Sequence, residues 1–151
     1  MKFFNKIGLL AVATLMRVTA CEKVDELPFY QGGNDPVLSS SATTIAPIPA
    51  DSNKNVLVLD WTSPEYASDS SSYKYIVEID SAGRNFSKAT AKTIIGDRSL
   101  TLTAKELNTI MLNYGFEFNK AYDMDMRVIS SYNNNNERKI SNTVKVKATP
   151  Y

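Results

Sequence analysis

Histidine is missing from all 151 residues, and cysteine occurs once. Without histidine the chain lacks the side chain that most readily exchanges protons near neutral pH, and with it the commonest metal ligand. The single thiol, Cys21, has no second cysteine to pair with inside the chain, and no histidine to activate it as a nucleophile. An excess of one charge sign is missing too. The 17 Lys and Arg residues and 16 Asp and Glu residues leave a net +1. Three of the cations (Lys2, Lys6 and Arg17) lie in the first 20 residues, which hold no acid, so the remaining 14 cations and 16 acids leave a net −2. A chain so close to neutral has no electrostatic footprint for nucleic acid. After the N-terminal region no apolar run approaches the roughly 20 residues that a membrane-spanning helix requires. No Gly-rich phosphate loop follows a strand. Asp51–Asn55 and Asp80–Gly83 have neither the spacing nor the acid count of a dedicated calcium loop and read as hairpin turns. No cofactor and no metal is expected.

What the N terminus does contain is an address. Residues 1–20 open with Lys2 and Lys6, continue through an apolar centre from Ile7 to Met16, and close on small residues. That is the anatomy of a secretory signal peptide, too short to span a membrane as a helix. Val18-Thr19-Ala20-Cys21 resembles the lipobox of bacterial lipoproteins, in which the cysteine thiol takes up diacylglycerol. Arg17 departs from that pattern. The reading makes Cys21 the lipid-attachment site and the first residue of the mature chain, with two acyl chains giving the stable membrane anchorage that one does not. The acids Glu22, Asp25 and Glu26 directly after it resemble the export signal of lipoproteins displayed on the cell surface, so the expected location is the outer membrane, facing outward. From residue 21 to residue 35 the chain has no hydrophobic period and ends in Gly32-Gly33-Asn34-Asp35, which reads as a flexible acidic tether. The folded domain is expected over residues 36–151, long enough for one core.

Within that domain the dominant period is two. Leu57, Leu59 and Trp61 share one face of a strand; so do Tyr73, Tyr75, Val77 and Ile79, with Lys74, Glu78 and Asp80 pointing away. Met124, Met126 and Val128 form a third such face, and Ile140, Val144 and Val146 a fourth. Weaker strands are expected at Ala42–Ile45, Thr90–Ile95 and Ser99–Thr103. One apolar face per strand is the mark of antiparallel sheets packed as a sandwich. The last two strong strands should pair through Asn133–Glu137, since Asn tolerates positive φ. A turn centred on Asn135 sets Asp125 opposite Lys145, Asp123 opposite Lys147, Met126 opposite Val144 and Met124 opposite Val146. Each charge pair is worth about 0.2–1 kcal/mol. Thr103 and Glu106 form a capping box ahead of Leu107, Ile110 and Met111 at helical spacing, and Gly115 is the terminator, which predicts a short crossover helix over Ala104–Asn113. The fold class is therefore all-β: an immunoglobulin- or fibronectin-III-like antiparallel sandwich of about seven strands.

Catalysis finds little support. Glycoside hydrolysis needs two carboxylates about 5–10 Å apart across a cleft, whereas Glu78 with Asp80 and Asp123 with Asp125 fall on outward strand faces beside lysines. Sugar-binding sites offer aromatic platforms beside polar side chains. Trp61, Tyr73 and Tyr75 belong to the core faces, which leaves Tyr66, in the loop after the Trp61 strand, and Tyr132, beside the Asn loop, as the weak carbohydrate-binding candidates.

The ordered set of segments around Leu59-Asp60-Trp61-Thr62, Tyr73–Phe86, Thr101–Phe116, Met126–Tyr132 and Ile140–Tyr151 resembles the N-terminal domain of SusE-type lipoproteins of the starch-utilisation system. The resemblance implies a non-catalytic surface lipoprotein supporting carbohydrate binding beside a SusC/SusD-type import complex. It also implies further sandwich domains that carry the starch sites; with the sequence ending at Tyr151, the chain resembles the family's spacing module alone. From a different class, the same features suit an immunoglobulin-like adhesion or scaffolding lipoprotein with a protein partner. Cys21→Ser is expected to abolish palmitate labelling and to release the protein from the membrane fraction; a labelled, membrane-bound variant would refute the anchor.

Overall fold

The computed structural model describes residues 32–151; Cys21 and the expected tether as far as residue 31 lie outside the described residues. Nine strands occur among the described residues: β1 (Leu38–Ser40), β2 (Thr44–Ile45), β3 (Asn55–Trp61), β4 (Lys74–Ser81), β5 (Thr90–Ile95), β6 (Ser99–Thr103), β7 (Tyr122–Ser131), β8 (Lys139–Ile140) and β9 (Val144–Ala148). One helix, α1 (Ala104–Asn113), joins β6 to the segment before β7. The smaller sheet has the order β1-β3-β6, the larger β2-β9-β7-β4-β5 with β8 also on β7. The two-part opening strand changes sheets: β1 is antiparallel to β3, and β2 is parallel to β9. This is the immunoglobulin/fibronectin-III type of sandwich.

The alternation read from sequence is what closes it. Leu57, Leu59 and Trp61 from one sheet meet Tyr75, Val77, Ile79, Met124, Met126 and Val128 from the other, all buried in one core. The final hairpin has the expected register: Met124↔Val146, Asp125↔Lys145 and Met126↔Val144, with Asn135 at φ 68° in its turn. The Lys145 ammonium stands 3.7 Å from Asp125. Tyr122, at the foot of β7, accepts a hydrogen bond on its hydroxyl from the Glu117 N–H five residues upstream (3.1 Å) and stacks on Phe116 at 3.9 Å. That is the tyrosine corner expected between these strands in such sandwiches.

Three expectations change. Ile140, expected in the core, is 47% exposed. Ile140 pairs with Ile129, whereas the β9 register would have set it opposite Ser130, so one extra residue is accommodated between β8 and β9. A one-residue slip reverses the face of every side chain beyond it. Ser141 takes the inner side instead, accepting from the Val128 N–H at 2.8 Å. Second, Asp80 points away from the core yet is fully buried. The loop after β4 folds over it, so that its carboxylate accepts from the N–H groups of Ser81 (2.8 Å) and Lys88 (3.2 Å) and faces Arg84 Nε at 3.4 Å. Third, Asp51–Asn55 is not a hairpin turn, because β2 and β3 belong to different sheets; it leads from a 3-10 turn over Pro49–Asp51 into β3.

Helix α1 begins as the sequence predicts. The Thr103 hydroxyl accepts from the Glu106 N–H (3.3 Å), and the Glu106 carboxylate accepts from the Thr103 N–H (2.9 Å). Lys92 Nζ of β5 adds a third tie to Glu106 at 2.8 Å. The Lys92 contact, then the Thr103 N–H, hold the Glu106 carboxyl down from 4.5 to about 2. A carboxylate whose pKa is depressed on folding stabilises the fold above its unfolded pKa, and that stabilisation is lost as pH falls through the folded value. Urea midpoints of the native chain are therefore expected to fall between about pH 4.5 and about pH 2. Glu106→Gln should lower the midpoint at pH 7 and flatten the fall; an unchanged pH profile would show that the cap does not couple to stability.

Candidate functional site

Two regions combine polar groups with a concavity, and they lie on different parts of the sandwich. The first is the upper end, where β3 and β7 finish and β4 begins. Here Tyr66 and Tyr132, both placed in or beside loops by the sequence, turn inward: they are 5% and 8% exposed. Their rings pack on one another with centroids 4.6 Å apart, and Tyr73 meets Tyr66 edge-on at 5.1 Å. The inward turn has a hydrogen-bonding cause. The Tyr66 hydroxyl donates to the Glu137 carbonyl at 2.6 Å with Ser130 Oγ 3.1 Å away, and the Tyr73 hydroxyl lies between the carbonyls of Tyr66 and Ser68. Burial raises the pKa of both phenols, so they stay neutral donors. The structure thus brings the two sequence candidates together, but with their faces spent on each other rather than offered to a ligand.

The chain reaches this aromatic cluster from Gly32–Asn34. Gly33 adopts φ +65°, and a Cβ on it would stand 2.5 Å from the Tyr66 ring and 2.7 Å from the Pro64 carbonyl oxygen, so only glycine fits. Asn34 N–H donates to that same Pro64 carbonyl (2.6 Å), and its side-chain amide to Glu65 (3.3 Å). These residues, read from sequence as tether, pack against the sandwich and line a recess of about 340 Å³ together with Glu65.

The second region is a groove of about 330 Å³ between β5 and α1, bordered by Thr90, Lys92, Lys105, Glu106 and Ile110. Its geometry follows from two features. Lys92 and Glu106 tie the strand to the helix at 2.8 Å. Below them the Tyr114 hydroxyl, at the helix C-terminus, donates to the Ile79 carbonyl and accepts from the Thr90 N–H (2.9 Å), relaying the lowest rung between β4 and β5. The groove was not legible in the sequence, because the Lys92–Glu106 tie that forms it spans 14 residues and only Lys92 on an otherwise uncharged strand hinted at a partner. Among the described residues, no cluster of three or more His, Cys, Asp and Glu side chains gathers in the manner of a metal centre.

Removing the Tyr66 hydroxyl tests whether the upper end is a packing device. Tyr66→Phe leaves the Glu137 carbonyl without its donor and is expected to destabilise the fold by about 1–3 kcal/mol in urea unfolding; an unaltered midpoint would show that the cluster carries no such load.

No curated protein matches this chain. Comparison with known families does find a match, which runs from Lys23 to Ile129 and includes both β3 and β4 and most of β7. With well over half of the sequence matched, on an immunoglobulin-like sandwich, the chain belongs to the SusE outer membrane protein family.

Proposed function

We propose that the chain is a surface-facing outer-membrane lipoprotein, attached through Cys21, in which this sandwich serves as a non-catalytic spacer supporting carbohydrate binding in a Sus-type glycan-utilisation system. Membership of the SusE outer membrane protein family carries the reading. The path of the chain supports it. Gly33 packs at the upper end against Tyr66, while Tyr151 is held at the lower end, its N–H donating to Asn108 Oδ1 of α1 (2.9 Å) and its hydroxyl lying 3.1 Å from Ser52 Oγ. The ten residues of β7 run between those ends, a rise of about 30 Å at the usual strand spacing. Gly33 and Tyr151 thus pack at opposite ends of one rigid body, a geometry that suits a spacer. The partners in this reading are the membrane through the lipid, a glycan, and a SusC/SusD-type complex.

On intact cells, external protease is expected to digest the sandwich, and the full chain to co-isolate with a SusC/SusD-type complex; protection until the cells are lysed would overturn the outward orientation. Native gels containing starch or related polysaccharides separate spacing from direct binding. A spacer migrates unretarded, whereas retardation would assign sugar contact to the sandwich itself.

A further inference from the structure

The larger sheet ends at β5, and its outer edge is open. Strand β5 pairs only with β4, from Lys74↔Ile95 to Ile79↔Thr90. The Gly96 N–H donates to the Tyr73 carbonyl at 2.9 Å, which sets the phase of the ladder. In an antiparallel pair, residues alternate between bonding across the ladder and facing away from it. Thr90, Lys92 and Ile94 therefore face β4, and the N–H and C=O groups of Ala91, Thr93 and Ile95 face outward. Among the described residues no hydrogen bond occupies those six groups. Exposed edges are ordinarily blunted by proline, by bulges or by charge. This one has no proline, and its one charged residue, Lys92, turns inward to Glu106.

The groove described above lies beside this same edge. We propose that β5 and α1 together form a strand-addition site for an extended acidic peptide segment of a partner protein. The added strand bonds to Ala91, Thr93 and Ile95. Its residues facing Thr90 and Lys92 enter the groove over Ile110, because side chains of cross-strand neighbours share a face. The charge balance selects the occupant. Lys92 and Glu106 neutralise one another, and Lys105, exposed on the groove wall, has no ion pair among the described residues. A carboxylate in the added strand complements Lys105, and an apolar neighbour two residues along lies in the groove lined by Thr90, Thr109 and the buried Ile110. The site is independent of where any glycan binds and requires no change in the sandwich.

Titration of the full chain with the peptide acetyl-Thr-Glu-Thr-Val-Thr-amide, in which Glu and Val share one face of the strand, followed by NMR, tests this. The amide signals of Ala91, Thr93 and Ile95 are expected to shift and to slow in hydrogen exchange, with Lys92 and Ile94 little changed. Thr93→Pro removes an outward N–H while leaving the β4 ladder its bonds, and should weaken binding at least tenfold. Lys105→Glu should lose the acidic peptide and gain its Lys-for-Glu counterpart; this second variant keeps the test open if Thr93→Pro fails to fold. Shifts confined to other surfaces, or equal binding by native and Lys105→Glu chains, would overturn the proposal. A concentration-dependent dimer in sedimentation that Thr93→Pro abolishes would overturn it too, by assigning the edge to a second copy.

Discussion

Everything in this sandwich is referred to the pairing of β4 with β7. The two strands run side by side through eight paired positions, from Lys74↔Ser131 to Ser81↔Met124, and on their inner face they carry Tyr75, Val77, Ile79, Met124, Met126 and Val128 with no measurable exposure. A sheet face of that composition cannot remain in water; burying each such side chain is worth about 1.5–3 kcal/mol. The small sheet supplies the cover through Leu57, Leu59, Trp61 and Leu102. On the outer face the same pairing is polar and cross-linked: Arg127 Nε meets Glu78 at 2.7 Å, and the Phe86 ring lies 4.1 Å from the Arg127 guanidinium. The loop after β4 is held by that contact and by the buried Asp80.

The two sheets are unequal, and the inequality shapes the surface. A three-stranded sheet cannot cover the whole inner face of the larger one, so the β5 flank projects beyond β6. Helix α1 fills part of that gap, anchored by its capping box and by Ile110, Met111 and Leu107 in the core. What it leaves uncovered is the groove. The Lys92–Glu106 pair and the Tyr114 hydroxyl close the gap with polar groups where apolar packing runs out. The incomplete cover thus lies on one flank, while the two ends are used to bring the chain in and to hold Tyr151.

Most of the elements were legible in the sequence for one reason: their signals are local and redundant. The helix announces itself by Thr103, Glu106 and Gly115, and the β7–β9 register by charge and apolar pairs that agree on a single alignment. Where the reading failed, the signal was not local. Strand β1 is three residues of Leu and Ser, recognisable only because β3 lies beside it. Ile140 keeps its alternation on paper, and loses it to one extra residue between β8 and β9. Asp80 looks solvated until the loop after it closes. The burial of Tyr66, a loop residue, follows from the Glu137 carbonyl and Ser130, more than 60 residues away, which hold its hydroxyl.

The sequence by itself determined the strand faces, the helix and its cap, the final hairpin and the resemblance to SusE-type proteins, because each depends on side chains spaced two, three or four apart along the chain. Only the tertiary structure decided which aromatic rings are buried, which carboxylate is enclosed, and that one sheet edge stays open beside a groove. Those outcomes depend on what a distant segment brings to a given face, and the outward half of an edge strand carries the same residues whether or not another strand lies against it.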